Sequence, residues 1–273
     1  MLVSIITVNF NNLEGLKRTY ESVVSQTFTD YEWIVIDGGS TDGSREFIEQ
    51  HQDRFAYWCS EKDNGIYHAM NKGIRQAKGE YLNFMNTGDT FACSKTLEDV
   101  FSEQRTADIL YGYTLLKSID GQFGNLGMMK RVFRWYDFLY NTLPHQSTFI
   151  RREAFERIGL YDETCRVVAD WIWFVRAIFH FDASYAFIPQ KIAIYEGGGI
   201  SATKANMEEK RARKEQLFPG YLSEQDALLL RKTTLVHSYK LTAFLFRVVY
   251  RIAWEFDKRK REAELRNLSK RLD

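Results

Sequence analysis

Three clusters of polar and acidic residues follow short apolar runs, and their residue types define a narrow chemistry. Asn86-Thr87-Gly88-Asp89 follows Tyr81-Leu82-Asn83-Phe84-Met85, Asp37-Gly38-Gly39-Ser40-Thr41-Asp42-Gly43-Ser44 follows Tyr31 to Ile36, and Asn9-Phe10-Asn11-Asn12 follows Val3 to Val8. Carboxylates, amides and glycines that allow close backbone approach are the groups needed to hold a nucleotide and a metal-bound diphosphate. Two further groups stand later in the chain. His145, in Pro144-His145-Gln146-Ser147-Thr148, can donate to a diphosphate or an acceptor, or be satisfied by loop backbone. Asp170 heads the apolar run Trp171-Ile172-Trp173-Phe174-Val175, which ends at Arg176. A carboxylate there is either a cap or first-turn group for free helix N–H groups, or a general base fixed beside an apolar wall. An isolated Asn-Thr-Gly-Asp reads as an ordinary turn. Its weight depends on whether the three loops meet.

The elements between the loops imply that they do. The apolar runs are short, rich in branched and aromatic residues, and read as strands. Between them Leu13, Leu16, Tyr20, Val23 and Val24 recur at helical spacing, a second helix starts near Ser44, and Ile66, Met70, Ile74 and Ala77 line one face of a third. A shorter strand is expected at Phe55 to Cys59. Strands alternating with helices specify a parallel, doubly wound sheet, whose ligands bind outside the carboxyl ends of the strands. All three polar loops then emerge at one edge.

Composition limits the alternatives. The 273 residues are 45% hydrophobic and 15% aromatic, enough for one large domain with a helical appendage. A formal charge of +1 gives no global attraction to nucleic acid. Cys59, Cys93 and Cys165 are odd in number and widely spaced, a pattern of reduced thiols in a cytoplasmic protein. Met1 leads straight into a strand without a basic region or cleavage signal, and no apolar stretch reaches the ~18 residues of a membrane span. Neither a dinucleotide-binding Gly-x-Gly-x-x-Gly nor a P-loop follows Val8.

Taken in order, Val3 to Asn11, the Asp37 to Ser44 loop, and Asp63-Asn64-Gly65-Ile66-Tyr67-His68-Ala69-Met70-Asn71-Lys72-Gly73 followed by Gly79-Glu80-Tyr81 resemble the family 2 glycosyltransferases of bacterial polysaccharide synthesis. The resemblance covers roughly residues 2 to 200 and implies a GT-A fold and inversion at the anomeric centre. It implies that Thr7, Asn9 and Asp37 contact the base and ribose of a nucleotide sugar, a UDP-sugar being the first expectation, with Asp42 supporting the loop. Asp63 and Asn71 would help hold nucleotide or sugar, and Asp170 would be the catalytic base. Asn86 to Asp89 takes the place of the family's Asp-x-Asp motif, with Asn86 toward the donor and Asp89 as ligand of Mg²⁺ or Mn²⁺. An amide in the first position brings no charge to a hard cation and weakens that site. The acceptor implied is a hydroxyl of a glycan or of a lipid-linked sugar. A nucleotidyltransferase-like enzyme, expected to carry a Gly-rich basic loop after the first strand, and an inactive sugar- or nucleotide-binding module remain as alternatives.

The expected organisation is a GT-A α/β domain over 1–203, with a nucleotide-sugar part at 1–116 and an acceptor and catalytic part at 117–203, and a C-terminal helical extension at 204–273. Ile109 to Leu116 and a segment from Gly121 read as antiparallel strands joined by Ser118-Ile119-Asp120-Gly121. Gly197-Gly198-Gly199 suits a mobile loop over the donor, or a plain exit from the sheet. In the extension, Leu241, Phe244, Leu245, Val248, Ile252 and Phe256 form an apolar stripe, and Lys240, Arg247, Arg251 and Lys258 a basic one. Residues 240–258 thus suit either peripheral contact with the inner face of the cell membrane, or packing on the domain or on a second copy in a homodimer.

Overall fold

The computed structural model describes residues 1–117, 123–127, 132–133, 137–138, 141–195, 197 and 208. The turn at 118–121, most of the glycine loop, the 203/204 boundary and the 240–258 stripes lie outside the described residues.

The chain opens as the alternation of runs requires. β1 (Val3–Asn9), α1 (Leu13–Val24), β2 (Tyr31–Asp37), α2 (Ser44–Gln50), β3 (Tyr57–Ser60), α3 (Ile66–Gln76) and β4 (Tyr81–Phe84) follow one another. β1 pairs in parallel with β2 and β4, and β2 with β3. Both faces of β1 are buried, as a parallel sheet between helix layers demands. Val3 and Ile5 face a cluster that includes Leu16 of α1 and Trp33. Ile6, on the other face, meets α3 so closely that a Cβ on Gly73 would lie 2.4 Å from its Cγ2.

The second half adds β5 (Thr90–Phe91), α4 (Thr96–Val100), β6 (Ile109–Lys117), β7 (Phe123–Leu126), β8 (Thr148–Arg151), α5 (Arg152–Ile158), α6 (Ala169–His180) and β9 (Tyr185–Tyr195). The strand order is β3-β2-β1-β4-β8-β6-β9-β5, with β7 on β6, so the α/β sheet expected from the sequence is present and turns mixed beyond β4. β8 runs antiparallel to both β4 and β6. That reversal sets the turn before β8 beside the carboxyl end of β4.

The third strand starts at Tyr57, because the chain first makes a 3₁₀ turn at Gln52–Arg54 that tucks Phe55 into the core. The antiparallel strand expected after Gly121 is present over Phe123–Leu126, and Gly121 itself lies outside the described residues. The three cysteines are free thiols, as their spacing implied.

The start of β4 is fixed by a buried carboxylate. Glu32 Oε1 accepts hydrogen bonds from Ser4 Oγ, Lys78 N and Gly79 N, and Gly79 N also donates to Ser4 Oγ. A Cβ on Gly79 would lie 2.5 Å from Ser4 N and 2.7 Å from Val3 C. Neither is the end of a flexible side chain, so the backbone itself would have to move. Gly79→Ala should therefore destabilise the fold by about 1–3 kcal/mol, the range for overpacking a filled interior. Urea denaturation checks this; an unchanged midpoint would mean that the β1–β4 edge yields freely.

Candidate active site

The carboxyl ends of β1, β2 and β3 are tied by Asp37. Its carboxylate has no exposed surface and accepts five hydrogen bonds, from Asn9 Nδ2 (2.7 Å), Gly39 N (3.2 Å), Ser40 N (2.9 Å), Ser40 Oγ (2.5 Å) and Ser60 Oγ (2.6 Å). Burial alone would raise its pKa. The donors from Ser40, Ser60 and Asn9 outweigh burial and hold it below the usual carboxylate value. The same loops are laced outside this knot. Asn11 N donates to Ser40 Oγ, Thr41 N to Asn11 Oδ1, and Leu13 N to Asp42 Oδ2, so Asp42 supports the loop as the resemblance implied.

Beyond β4, Asn86 to Asp89 forms a turn closed by Asp89 N on Asn86 O at 2.9 Å. Gly88 stands at its third position with φ of +98°, the sign a type II turn needs and glycine supplies most readily. Thr19 of α1 pins this turn, accepting from Gly88 N and donating to Asp89 O at 2.8 Å. Thr87 Oγ1 donates to Val8 O, which brings the turn against the end of β1. Asn86 Oδ1 is buried without a hydrogen-bond partner. Among the described residues no group of three His, Cys, Asp or Glu side chains could hold a metal ion. A cation held at this turn would have to take most of its ligands from phosphate oxygens and water, as Mg²⁺ usually does.

Next to the Asp37 loop, Asp63 forms an ion pair with Lys72 (Nζ to Oδ1 2.7 Å) and lies 3.0 Å from His68 Nδ1, while its buried Oδ2 has no hydrogen-bond partner. A Cβ on Gly38 would lie 3.5 Å from that oxygen and 3.1 Å from the Phe10 ring. Phe10 itself is 65% exposed. An aromatic face, a bare backbone and an unpartnered carboxylate oxygen thus converge at the rim.

His145 and Asp170 meet although 25 residues separate them in the sequence. His145 begins the 3₁₀ turn His145–Ser147, which Asn83 of β4 holds by donating from Nδ2 to Gln146 O and Thr148 O, both at 3.0 Å. His145 Nε2 lies 3.2 Å from Asn86 Nδ2, and Nδ1 lies 3.6 Å from Asp170 Oδ2. That suits the Nδ1–H tautomer, with Nε2 accepting from the amide. Asp170 sits in the first turn of α6, and Val168 takes the N-cap position. Tyr67 Oη donates to Asp170 Oδ1 at 2.8 Å. Burial would raise this carboxyl group's pKa, but His145, Tyr67 and the Trp171 N–H together lower it. At neutral pH Asp170 is ionised.

Asn9, Asp37, Asp63, Asn86, Asp89, His145 and Asp170 thus lie along the carboxyl edge of the sheet or on segments that reach it. Thr7 and Asn71 lie inside the protein. Thr7 Oγ1 donates to Met85 O and accepts from Trp33 Nε1, whereas the Asn71 amide binds Tyr161 N, Tyr161 O and Glu163 Oε1. Sequence reasoning missed Phe10, Thr19, Tyr67 and Asn83. Phe10 carried a signal, an aromatic directly after a strand and between asparagines. The other three read as core residues until their partners are seen.

With this geometry in hand, the profile of the family described as Glycosyl transferase family 2 matches residues 4–159, more than half of the chain. An uncharacterized glycosyltransferase of Mycobacterium tuberculosis is 35% identical over 181 residues, covering 64% of this chain and 68% of that one. A PGL/p-HBAD biosynthesis glycosyltransferase of Mycobacterium bovis is 29% identical over 215 residues, covering 76% and 82%. The chain belongs to glycosyl transferase family 2. Among solved structures, Staphylococcus aureus TarS 1–349 with UDP-GlcNAc superimposes with a TM-score of 0.62 at 19% identity, over 81% of this chain and 72% of that one. The chain covers 43% of a longer TarS structure. The mannosyltransferase PcManGT of Pyrobaculum calidifontis, with GDP-Man and Mn2+, gives a TM-score of 0.53 at 17% identity, over 89% and 78%. At these identities the likeness is one of fold, the GT-A fold.

The Asp37 knot makes its own prediction. Asp37→Asn places an amide N–H₂ among donors and should cost about 2–4 kcal/mol, a partner lost inside a buried polar network. Because the folded pKa lies below the unfolded one, near 3.9, the stability Asp37 contributes is full above about pH 4 and lost as the pH falls through the lowered value. Melting curves from pH 7 to pH 3 should therefore converge for wild type and variant; parallel curves would remove Asp37 as the source.

Proposed function

We propose that the chain is an inverting glycosyltransferase that moves a sugar from a nucleotide-sugar donor to a hydroxyl of a glycan or lipid-linked acceptor. The observation that carries this reading is the placement of the Asp170 carboxylate 3.6 Å from His145, whose other ring nitrogen lies 3.2 Å from Asn86 in the turn after β4. The nucleotide lies over the ends of β1 and β2, its base against the exposed face of Phe10 and within reach of Asp63 Oδ2. The diphosphate lies toward Asn86 and Asp89, where a Mg²⁺ or Mn²⁺ ion would neutralise charge on the leaving group. TarS with UDP-GlcNAc and PcManGT with GDP-Man and Mn2+, both of this fold, support a donor of this class.

In the reaction, the acceptor hydroxyl approaches the anomeric carbon from the face opposite the diphosphate. Asp170 takes its proton as the new C–O bond forms. A carboxylate with a lowered pKa is a weak base, so proton transfer runs late, when the attacking oxygen has become acidic. His145 stands between base and diphosphate and can donate to a developing charge on either side. Asp37 and Asn9 keep the nucleotide loops in register without offering the carboxylate to solvent.

Nucleotide release from UDP-GlcNAc and GDP-mannose, with and without Mn²⁺, tests the reading. Asp170→Asn should lower kcat by ~10²–10⁴-fold, the range for loss of a general base, with donor affinity and melting temperature retained. Asp89→Asn should remove the Mn²⁺-dependent part of donor binding, and Asn86→Asp should strengthen it. Turnover by Asp170→Asn at the wild-type rate would exclude Asp170 as the base, and donor binding without turnover by the wild type would favour a binding module.

A further inference from the structure

α3 presents two stripes to two parts of the site. His68 and Lys72, four residues apart, both reach Asp63, and Lys72 also pairs with Glu61 at 2.6 Å. Tyr67 and Asn71, also four apart, form the neighbouring stripe and reach into the second half of the chain. Asn71 is tied to Tyr161 and Glu163, and Tyr67 to Asp170. One helix therefore holds the loop beside Gly38 with one stripe and the base with the other.

Tyr67 is 5% exposed, and its ring lies 5.6 Å from that of Tyr161. Packing of this kind asks only for an aromatic ring, which phenylalanine would supply. The hydroxyl is the difference, and its proton goes to Asp170 Oδ1. With Oδ1 so held, the rotation of the carboxylate is set, and Oδ2 remains 3.6 Å from His145 Nδ1, beyond hydrogen-bond length. Oδ2 is then the oxygen with lone pairs to offer an incoming hydroxyl.

We propose that Tyr67 is a positioning residue for the transfer reaction, whose hydroxyl anchors Oδ1 of Asp170 so that the carboxylate presents Oδ2 to the acceptor. The proposal rests on the reading of Asp170 as the base. The groups that face Asp170 are Tyr67 from α3, His145 from the 3₁₀ turn, Tyr161 from the segment before α6, and the Trp171 N–H of its own helix. Among the side chains, Tyr67 makes the short contact. A hydrogen bond donated to the ionised carboxylate favours that form, so its removal raises the pKa of Asp170.

The test uses the full chain with ¹³C-labelled aspartate carboxyl groups. The Asp170 signal is assigned by its absence in Asp170→Asn, and titrations are run below the melting temperature of each variant. Tyr67→Phe removes one oxygen and keeps the ring, and should move the Asp170 titration upward by about one pH unit. In turnover, with whichever of UDP-GlcNAc and GDP-mannose the chain uses, kcat should fall about tenfold with donor KM unchanged, and the acid limb of the rate profile should move to higher pH. In the Asp170→Asn background the same substitution should change kcat no further. An Asp170 titration that stays in place in folded Tyr67→Phe overturns the proposal, because a packing residue alone would lower the melting temperature and leave the titration where it is. The two readings also fail separately. Full turnover by Asp170→Asn removes the base, whereas loss there beside unaltered titration and kcat in Tyr67→Phe removes Tyr67 alone.

Discussion

A carboxylate with no exposed surface must have its lone pairs met by donors, or it neutralises or leaves the interior. Asp37 meets this condition with groups from the ends of three adjacent strands, Asn9 after β1, Gly39 and Ser40 after β2, and Ser60 at the end of β3. None of these donors can move away singly without stranding charge. One side chain therefore ties the three strand ends together, and the surface proposed to receive the donor is set before any ligand arrives. Binding to such a surface loses little ordering entropy, which is the physical value of preorganisation.

The same logic joins the two halves of the site. β4 ends in a turn fixed from α1 by Thr19, and its Asn83 holds the turn that carries His145. His145 lies between Asn86 and Asp170, and Asp170 is held in turn by Tyr67 of α3. Elements from the first hundred residues thus orient groups from the region of residues 145–170. Their polar contacts are worth more in a low-dielectric surrounding than at a surface, and a loss at any link leaves a neighbour unpaired.

Asp170 carries the opposing effects most plainly. Its helix is among the most apolar in the chain, with Trp171, Trp173, Phe174 and Val175 all buried, and that wall by itself favours the neutral acid. The nearby His145, the Tyr67 hydroxyl and the Trp171 N–H together reverse the preference. The result is a carboxylate whose charged form is favoured in an apolar setting, as the base proposed for the transfer would require. The first turn of α6 supplies one of those donors, so a position that also suits a capping carboxylate serves the chemistry without conflict.

The sequence by itself determined the alternation of strands and helices, the edge at which the polar loops emerge and the family, because apolar periodicity and the order of short motifs are local properties of the chain. It also marked Asp37, Asn86, Asp89, His145 and Asp170 as the groups to watch, since polar residues after apolar runs are visible without coordinates. What only the tertiary structure decided is which atoms those groups meet. Thr7 and Asn71 carry the same residue types as rim residues, yet their polar atoms are taken up within the fold by Met85, Trp33, Tyr161 and Glu163. Tyr67 and Asn83 read as core residues because their burial is legible and their single polar contact is not. The antiparallel insertion of β8 next to β4 brings His145 beside Asn86, and no spacing in the sequence encodes it. Pairings over such separations depend on how the sheet is ordered, a consequence of burying the whole chain at once.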